Sequence, residues 1–168
     1  MRPFSPEVQL AALNKHGVLY VLIGGLAATL RGSPLRTGDA DVCPERTPEN
    51  LDRLSAALRE LHARIRTESV ADGLPFACDR QFFAQVALAN LVTDAGDLDV
   101  SFQPSGTQGY RDLAQNADVI DLGGLEVPVA SLDDIIRSKT AANRPKDLAA
   151  LPVLRELARQ IAATKLKP

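Results

Sequence analysis

The stretch VLYVLIGGLAATLRGSPLRTGDADVC, residues 18–43, decides the fold. Its first six residues, Val18 to Ile23, are apolar throughout and rich in β-formers, as expected of a strand covered on both faces. Gly24-Gly25 ends the run and turns directly into LAATLR, a short helix closed by Gly32. Backbone N–H groups at such a turn, with no Cβ in the way, can approach an anion along the helix dipole. After a loop holding Ser33 and Pro34, residues 39–43 alternate polar with apolar and predict a second strand. Asp39 and Asp41 stand at i and i+2 on it, so both project from one face. They repel each other unless a cation lies between them, and hard carboxylate oxygens suit Mg²⁺ that also holds phosphate oxygens.

The remaining elements frame that stretch. Ser5-Pro6-Glu7 supplies a hydroxyl cap, a first-turn proline and an acid for a helix over about 6–16. Thr47-Pro48-Glu49 opens a helix over 48–62, with Leu51, Leu54, Leu58 and Leu61 forming a core stripe. From 63 to 103, ARIRT, a loop around Asp72-Gly73-Leu74-Pro75, QVALANLVT and DLDVSF read as neighbouring antiparallel strands. A short helix near 109–115 leads into a hairpin, DVIDL and LEVPVA about Gly123-Gly124, whose Pro128 suggests an edge strand. Ser131-x-x-Asp134 caps a helix over 132–142, and a last helix over 145–165 is expected to bend or break at Pro152. The pattern is α+β (α/β): a mixed sheet flanked by helices, with helices gathered at the C-terminal end, in one domain over 1–168.

Asp97 and Asp99 repeat the i, i+2 spacing on a further strand. Set beside the first pair, one of them would complete a three-carboxylate site for two metal ions. Such a site activates an attacking oxygen and stabilises a leaving pyrophosphate. Each part alone has a plainer reading: a tight turn for Gly-Gly, a solvated edge for D-x-D, a turn cap for Asp97 or Asp99. Their order and spacing favour the joint reading.

Composition narrows the classes. The 168 residues are 45% hydrophobic and 24% charged, ordinary for a globular chain able to bury a core without staples. A net charge of −2 argues against a wholesale basic coat for nucleic acid, although eight arginines fall between positions 31 and 80. Those in the loop over 31–46 and the following helix could form a phosphate-binding face or a solvated one alternating with acids. Cys43 and Cys78 are too few for a disulfide framework or zinc cluster and read as small buried hydrophobes, which fits a reducing cytoplasm. The apolar run over 17–30 is short for a membrane span and lacks a cleavage site, so a mature soluble protein is expected. His16 and His62, near helix ends, read as capping or surface residues.

GGLAATLRGSPLRTGDAD resembles the hG[G/S] and D-h-[D/E] pattern of nucleotidyltransferases related to DNA polymerase beta, and GDLDVSF extends the likeness. Within that superfamily the chain resembles the AbiEii group and its MenT relatives, whose signature R-x-[T/S]-x-D-x-D is matched by Arg36, Thr37, Asp39 and Asp41. The late K…R…KD segment is matched by Lys139, Arg144, Lys146 and Asp147 in RSKTAANRPKDL. The resemblance, spanning about 18–155, implies a minimal nucleotidyltransferase fold moving a nucleoside monophosphate from an NTP to an acceptor hydroxyl. It implies that Gly24 and Gly25 cradle the triphosphate and that Asp39, Asp41 and Asp99 bind two Mg²⁺ ions. Asp99 would double as general base, with Asp97 its rival. Lys139 would reach the nucleotide, oriented by Arg144 and Asp147, whereas the residues alone allow a solvated helix face. Arg36 would meet phosphate or brace its loop, and Thr37 would be a regulatory phosphorylation site or a loop brace. In the toxin branch the acceptor is the tRNA 3′ end and a cognate antitoxin is a partner; neither DNA nor a membrane is implied. Many relatives carry a further helical domain, which is not expected within these 168 residues. A small-molecule nucleotidyltransferase of the antibiotic-modifying kind, or a non-catalytic binding subunit, are the alternatives.

Overall fold

A computed structural model describes residues 2–167. The chain enters through α1 (Pro6–Lys15), then β1 (Tyr20–Ile23), α2 (Gly24–Leu30) and β2 (Asp39–Pro44). Next come α3 (Pro48–Glu60), β3 (Arg64–Ile65), α4 (Arg80–Gln85), β4 (Leu88–Thr93) and β5 (Gly96–Ser101). It finishes with α5 (Tyr110–Asn116), β6 (Asp118–Asp121), β7 (Glu126–Val129), α6 (Leu132–Ala142) and α7 (Pro145–Lys165). The strands form one mixed sheet in the order β3-β4-β5-β2-β1-β7-β6. This α+β architecture matches the expected class.

The register at the centre of the sheet positions the acids. β1 and β2 run antiparallel, and β2 pairs with β5 in parallel, setting Asp39 opposite Asp97 and Asp41 opposite Asp99. Strand alternation sends Ala40, Val42, Leu98 and Val100 to the other face, where all four are fully buried. That face joins a core with Leu10 and Leu13 of α1 and Leu54 and Leu58 of α3. Asn50 ties the layers together, accepting from the Leu19 N–H at 2.7 Å and donating to the Leu19 and Glu45 carbonyls at 2.9 and 2.7 Å.

Several local expectations are corrected. Residues 80–84 carry no expectation and form α4 together with Gln85, which the sequence alone assigns to the following strand: the Asp79 carboxylate caps the helix by accepting from the Phe82 N–H at 2.9 Å. Phe82 and Phe83 then pack against Phe76. β7 is an interior strand and β6 the edge. Pro128 is tolerated because β7 meets β1 only at Leu22 opposite Val129, so its missing N–H interrupts no extended ladder. α7 continues through Pro152. The carbonyl that proline deprives belongs to Leu148, a residue 51% exposed, where water can satisfy it. Ser5 caps α1 through its backbone carbonyl rather than its hydroxyl. The Ser131 hydroxyl does cap α6, accepting from the Asp134 N–H at 3.1 Å.

Candidate active site

A cleft of about 790 Å³ opens over the β2–β5 pair, walled by the start of α2, the loop before β2, α6 and the start of α7. Asp39, Asp41 and Asp99 line it, each offering an oxygen within 4.8 Å of the other two. Burial first, then the charges of Asp39 and Asp99, push the Asp41 carboxyl from 3.8 up to about 7, against the pull of Lys146 and Lys139. Burial likewise raises Asp99, against the downward pull of Arg66. The Arg66 guanidinium lies 2.9 Å from Asp99 Oδ1 and 3.1 Å from Oδ2, but its N–H is directed at Oδ2. Oδ1 is therefore buried without a hydrogen bond. An all-carboxylate donor set, in which one buried oxygen has an ion-pair contact but no hydrogen bond and one carboxyl is reluctant to ionise, fits a hard dication such as Mg²⁺.

The glycine pair and the acids are packed as one unit. Gly24 has φ +69°, and a Cβ there would overlap the Asp41 carboxylate, with Cγ only 2.8 Å away. A Cβ on Gly25 would stand 3.0 Å from Thr37 Oγ1. The Thr37 hydroxyl donates to Asp39 Oδ1 at 2.9 Å, so it braces the first acid from the loop. Arg36, exposed at the cleft wall, makes no ion pair among the described residues.

The opposite wall is cationic and internally anchored. Asp147 is fully buried at the start of α7. It accepts from Arg144 Nε at 2.6 Å and Nη2 at 3.2 Å, and Lys139 Nζ lies 3.5 Å from its Oδ1. Burial alone would raise Asp147, but the hydrogen bonds and charge of Arg144, with help from Lys139, outweigh it and hold the carboxyl low. Lys139, Arg144 and Lys146 line the cleft, whereas Asp147 lies beneath and fixes the first two.

Of the residues singled out for the site, Asp147 lies beneath the cleft and Asp97 away from it, and the others line it. Asp97 faces Arg66 at 3.0 Å, is 40% exposed against 14% for Asp99, and is not part of the cleft lining. The sequence reading missed Arg66 and Asn90, the latter opposite Asp99 on β4 and lining the cleft. Nothing in the local sequence marks either, because both reach the site only through strand pairing.

The arginines over 31–80 are mostly spent on structure. Arg31 donates to the Ala130 and Val129 carbonyls and pairs with Asp118. Arg46 donates to the carbonyls of Phe83 and Ala84 and stacks 4.6 Å over the Phe102 ring. Arg59 holds the Cys78 carbonyl, Arg64 the Gly73 carbonyl and Arg80 the Asp52 carboxylate. His16 and His62 pair with Glu60 and Asp94 at the ends of α1 and α3.

Among solved structures, a Thermotoga maritima protein classed as a nucleotidyltransferase has a TM-score of 0.53 over 95% of this chain and 97% of its own, at 16% identity. The lincosamide antibiotic adenylyltransferase LnuA, with lincomycin bound, has a TM-score of 0.62 over 93% and 99%, at 13% identity. ANT(2'')-Ia in complex with adenylyl-2''-tobramycin gives 0.57 over 96% and 92%, at 18% identity. No family model matches the sequence, and no curated protein matches it. The chain thus has the fold of the nucleotidyltransferases. Among its described residues no helix is long and apolar enough to cross a membrane.

Proposed function

We propose that this chain is a nucleotidyltransferase that moves a nucleoside monophosphate from an NTP to an acceptor hydroxyl. The observation that carries the reading is the convergence of Asp39, Asp41 and Asp99 beside Gly24-Gly25 and Lys139 in one cleft. Two Mg²⁺ ions held by the three carboxylates would offset the triphosphate charge and favour ionisation of the acceptor hydroxyl. Asp99, which lines the cleft beside Asp39 and Asp41, would receive the hydroxyl proton. The hydroxyl oxygen bonds to the α-phosphorus as the bond to pyrophosphate breaks. Lys139 and Arg144, steadied by Asp147, bind the phosphates, with Lys146 and Arg36 adding positive charge and the Gly24-Gly25 turn supplying backbone N–H groups.

For the acceptor, a small hydroxylated molecule is the first reading. It is supported by the engagement of most arginines over 31–80 with carbonyls and acids, which leaves Arg36 beside the three α6–α7 cations for phosphate. The two antibiotic adenylyltransferases of similar fold agree with it. The second reading is a toxin acting on the tRNA 3′ end and restrained by an antitoxin. It is carried by the R-x-T-x-D-x-D resemblance, which also makes Thr37 the proposed phosphorylation site. Incubation with each α-labelled NTP, Mg²⁺, total RNA and a panel of lincosamides and aminoglycosides tests both. Label on a small molecule supports the first reading, label on RNA the second, and label on neither overturns the transfer to these acceptors.

A further inference from the structure

Arg66 stands outside every motif and yet touches the third carboxylate. Its backbone is fastened at the edge of the sheet: its N–H donates to the Asn90 carbonyl at 2.9 Å, and the preceding Ile65 exchanges bonds with Leu74 at 2.9 and 2.8 Å. From there the side chain crosses β4 to reach β5. Nη1 lies 3.0 Å from Asp97 Oδ2 and Nη2 lies 3.1 Å from Asp99 Oδ2. One guanidinium is thus shared between a carboxylate inside the acidic cluster and one outside the cleft.

We propose that Arg66 is a positioning residue acting as an internal counter-cation, which holds Asp99 until a divalent cation binds the cluster and then falls back on Asp97. The proposal rests on the metal-site reading above. A guanidinium and a dication draw on the same carboxylate, so each weakens the other's hold. Asp97, more exposed and away from the cluster, gives Arg66 a second seat and lowers the cost of releasing Asp99. A brace for the loop over 66–73 would need one carboxylate; two at i and i+2 allow the cation to be shared.

Mn²⁺ binding to the nucleotide-free protein, followed by the spin-resonance signal of the free ion, tests this without reference to activity. Arg66→Gln is expected to bind Mn²⁺ about tenfold more tightly, the scale of one lost charge-assisted hydrogen bond. Asp97→Asn is expected to bind it several-fold more weakly, since Arg66 then belongs to Asp99 alone. The double variant should match Arg66→Gln, because the Asp97 effect acts through Arg66. Melting temperatures check folding. Should Arg66→Gln fail to fold, Arg66→Lys, which keeps the charge but loses the fork, is expected to bind Mn²⁺ more tightly than the parent. Unchanged or weaker affinity in the folded Arg66 variant overturns the proposal, as does an Asp97→Asn effect that persists in the double variant. A parent that binds no Mn²⁺ overturns the metal-site reading too. Binding lost in Asp41→Asn but unaltered in Arg66→Gln overturns this proposal alone.

Discussion

Replacing Asp41 by asparagine should stabilise the metal-free protein, and more so at alkaline pH. Raising that carboxyl from 3.8 to about 7 costs its ionised form roughly 4 kcal/mol. Because the folded state holds the proton more tightly than the unfolded chain, the unfolding free energy falls as pH rises from about 4 to about 7 and stays low above it. Water entry and side-chain rotation recover part of that cost, so a gain of about 2 kcal/mol at pH 8 is expected for Asp41→Asn, equivalent to a rise of about 4–8 °C in Tm. At pH 5 the gain should be clearly smaller, because the parent is then protonated at this position. Adding Mg²⁺ should close the gap at pH 8 by stabilising the parent alone. Scanning calorimetry of both proteins at pH 5 and 8, with and without Mg²⁺, gives the answer. A variant that melts at or below the parent at pH 8, or shows the same gain at both pH values, would refute the buried-charge reasoning.

Other perturbations separate the roles within the cleft. Asp99→Ala should lower nucleotide transfer far more than Asp97→Ala in a turnover assay, and the opposite order would reassign the third carboxylate. Gly24→Ala, forced to keep φ +69° against Asp41, should lose about 2 kcal/mol in urea unfolding as well as activity; full stability would show that the turn relaxes freely. Asp147→Ala leaves Lys139 and Arg144 without their buried anchor and should cost about 1–3 kcal/mol of stability, since the freed Arg144 is largely solvated. Asp147→Asn should raise the KM for NTP more than it lowers kcat, and an unchanged KM counts against the anchoring role. Thr37→Glu should abolish NTP binding in titration calorimetry, since it sets a negative charge against Asp39; parental affinity would remove Thr37 as a control point.

Much of the central fold can be read from residues 18–43, where an apolar strand, a glycine pair, a short helix and an alternating acidic strand follow in order. The match is close because these elements obey local rules: alternation places Asp39 and Asp41 together on one face, whatever the sheet around them. The pairing of β2 with β5 is not local, and it selects Asp99 by setting it opposite Asp41. Pro128 misled because position in a sheet order is a property of the whole chain, and β7 meets β1 too briefly to need the missing N–H. α4 escaped notice because RQFFAQ is rich in aromatics, although Asp79 three residues before Phe82 is a cap signal. Arg66 could not be read at all, since its reach to Asp97 and Asp99 depends on β4 lying between them.

The most direct measurement is pyrophosphate release and acceptor labelling from α-labelled NTP by the parent and by Asp39→Asn, each with Mg²⁺ and with chelator. The three-carboxylate site predicts transfer by the parent with Mg²⁺ only and none by a folded Asp39→Asn protein. Equal transfer by both proteins, or transfer by the parent that persists in chelator, would contradict it.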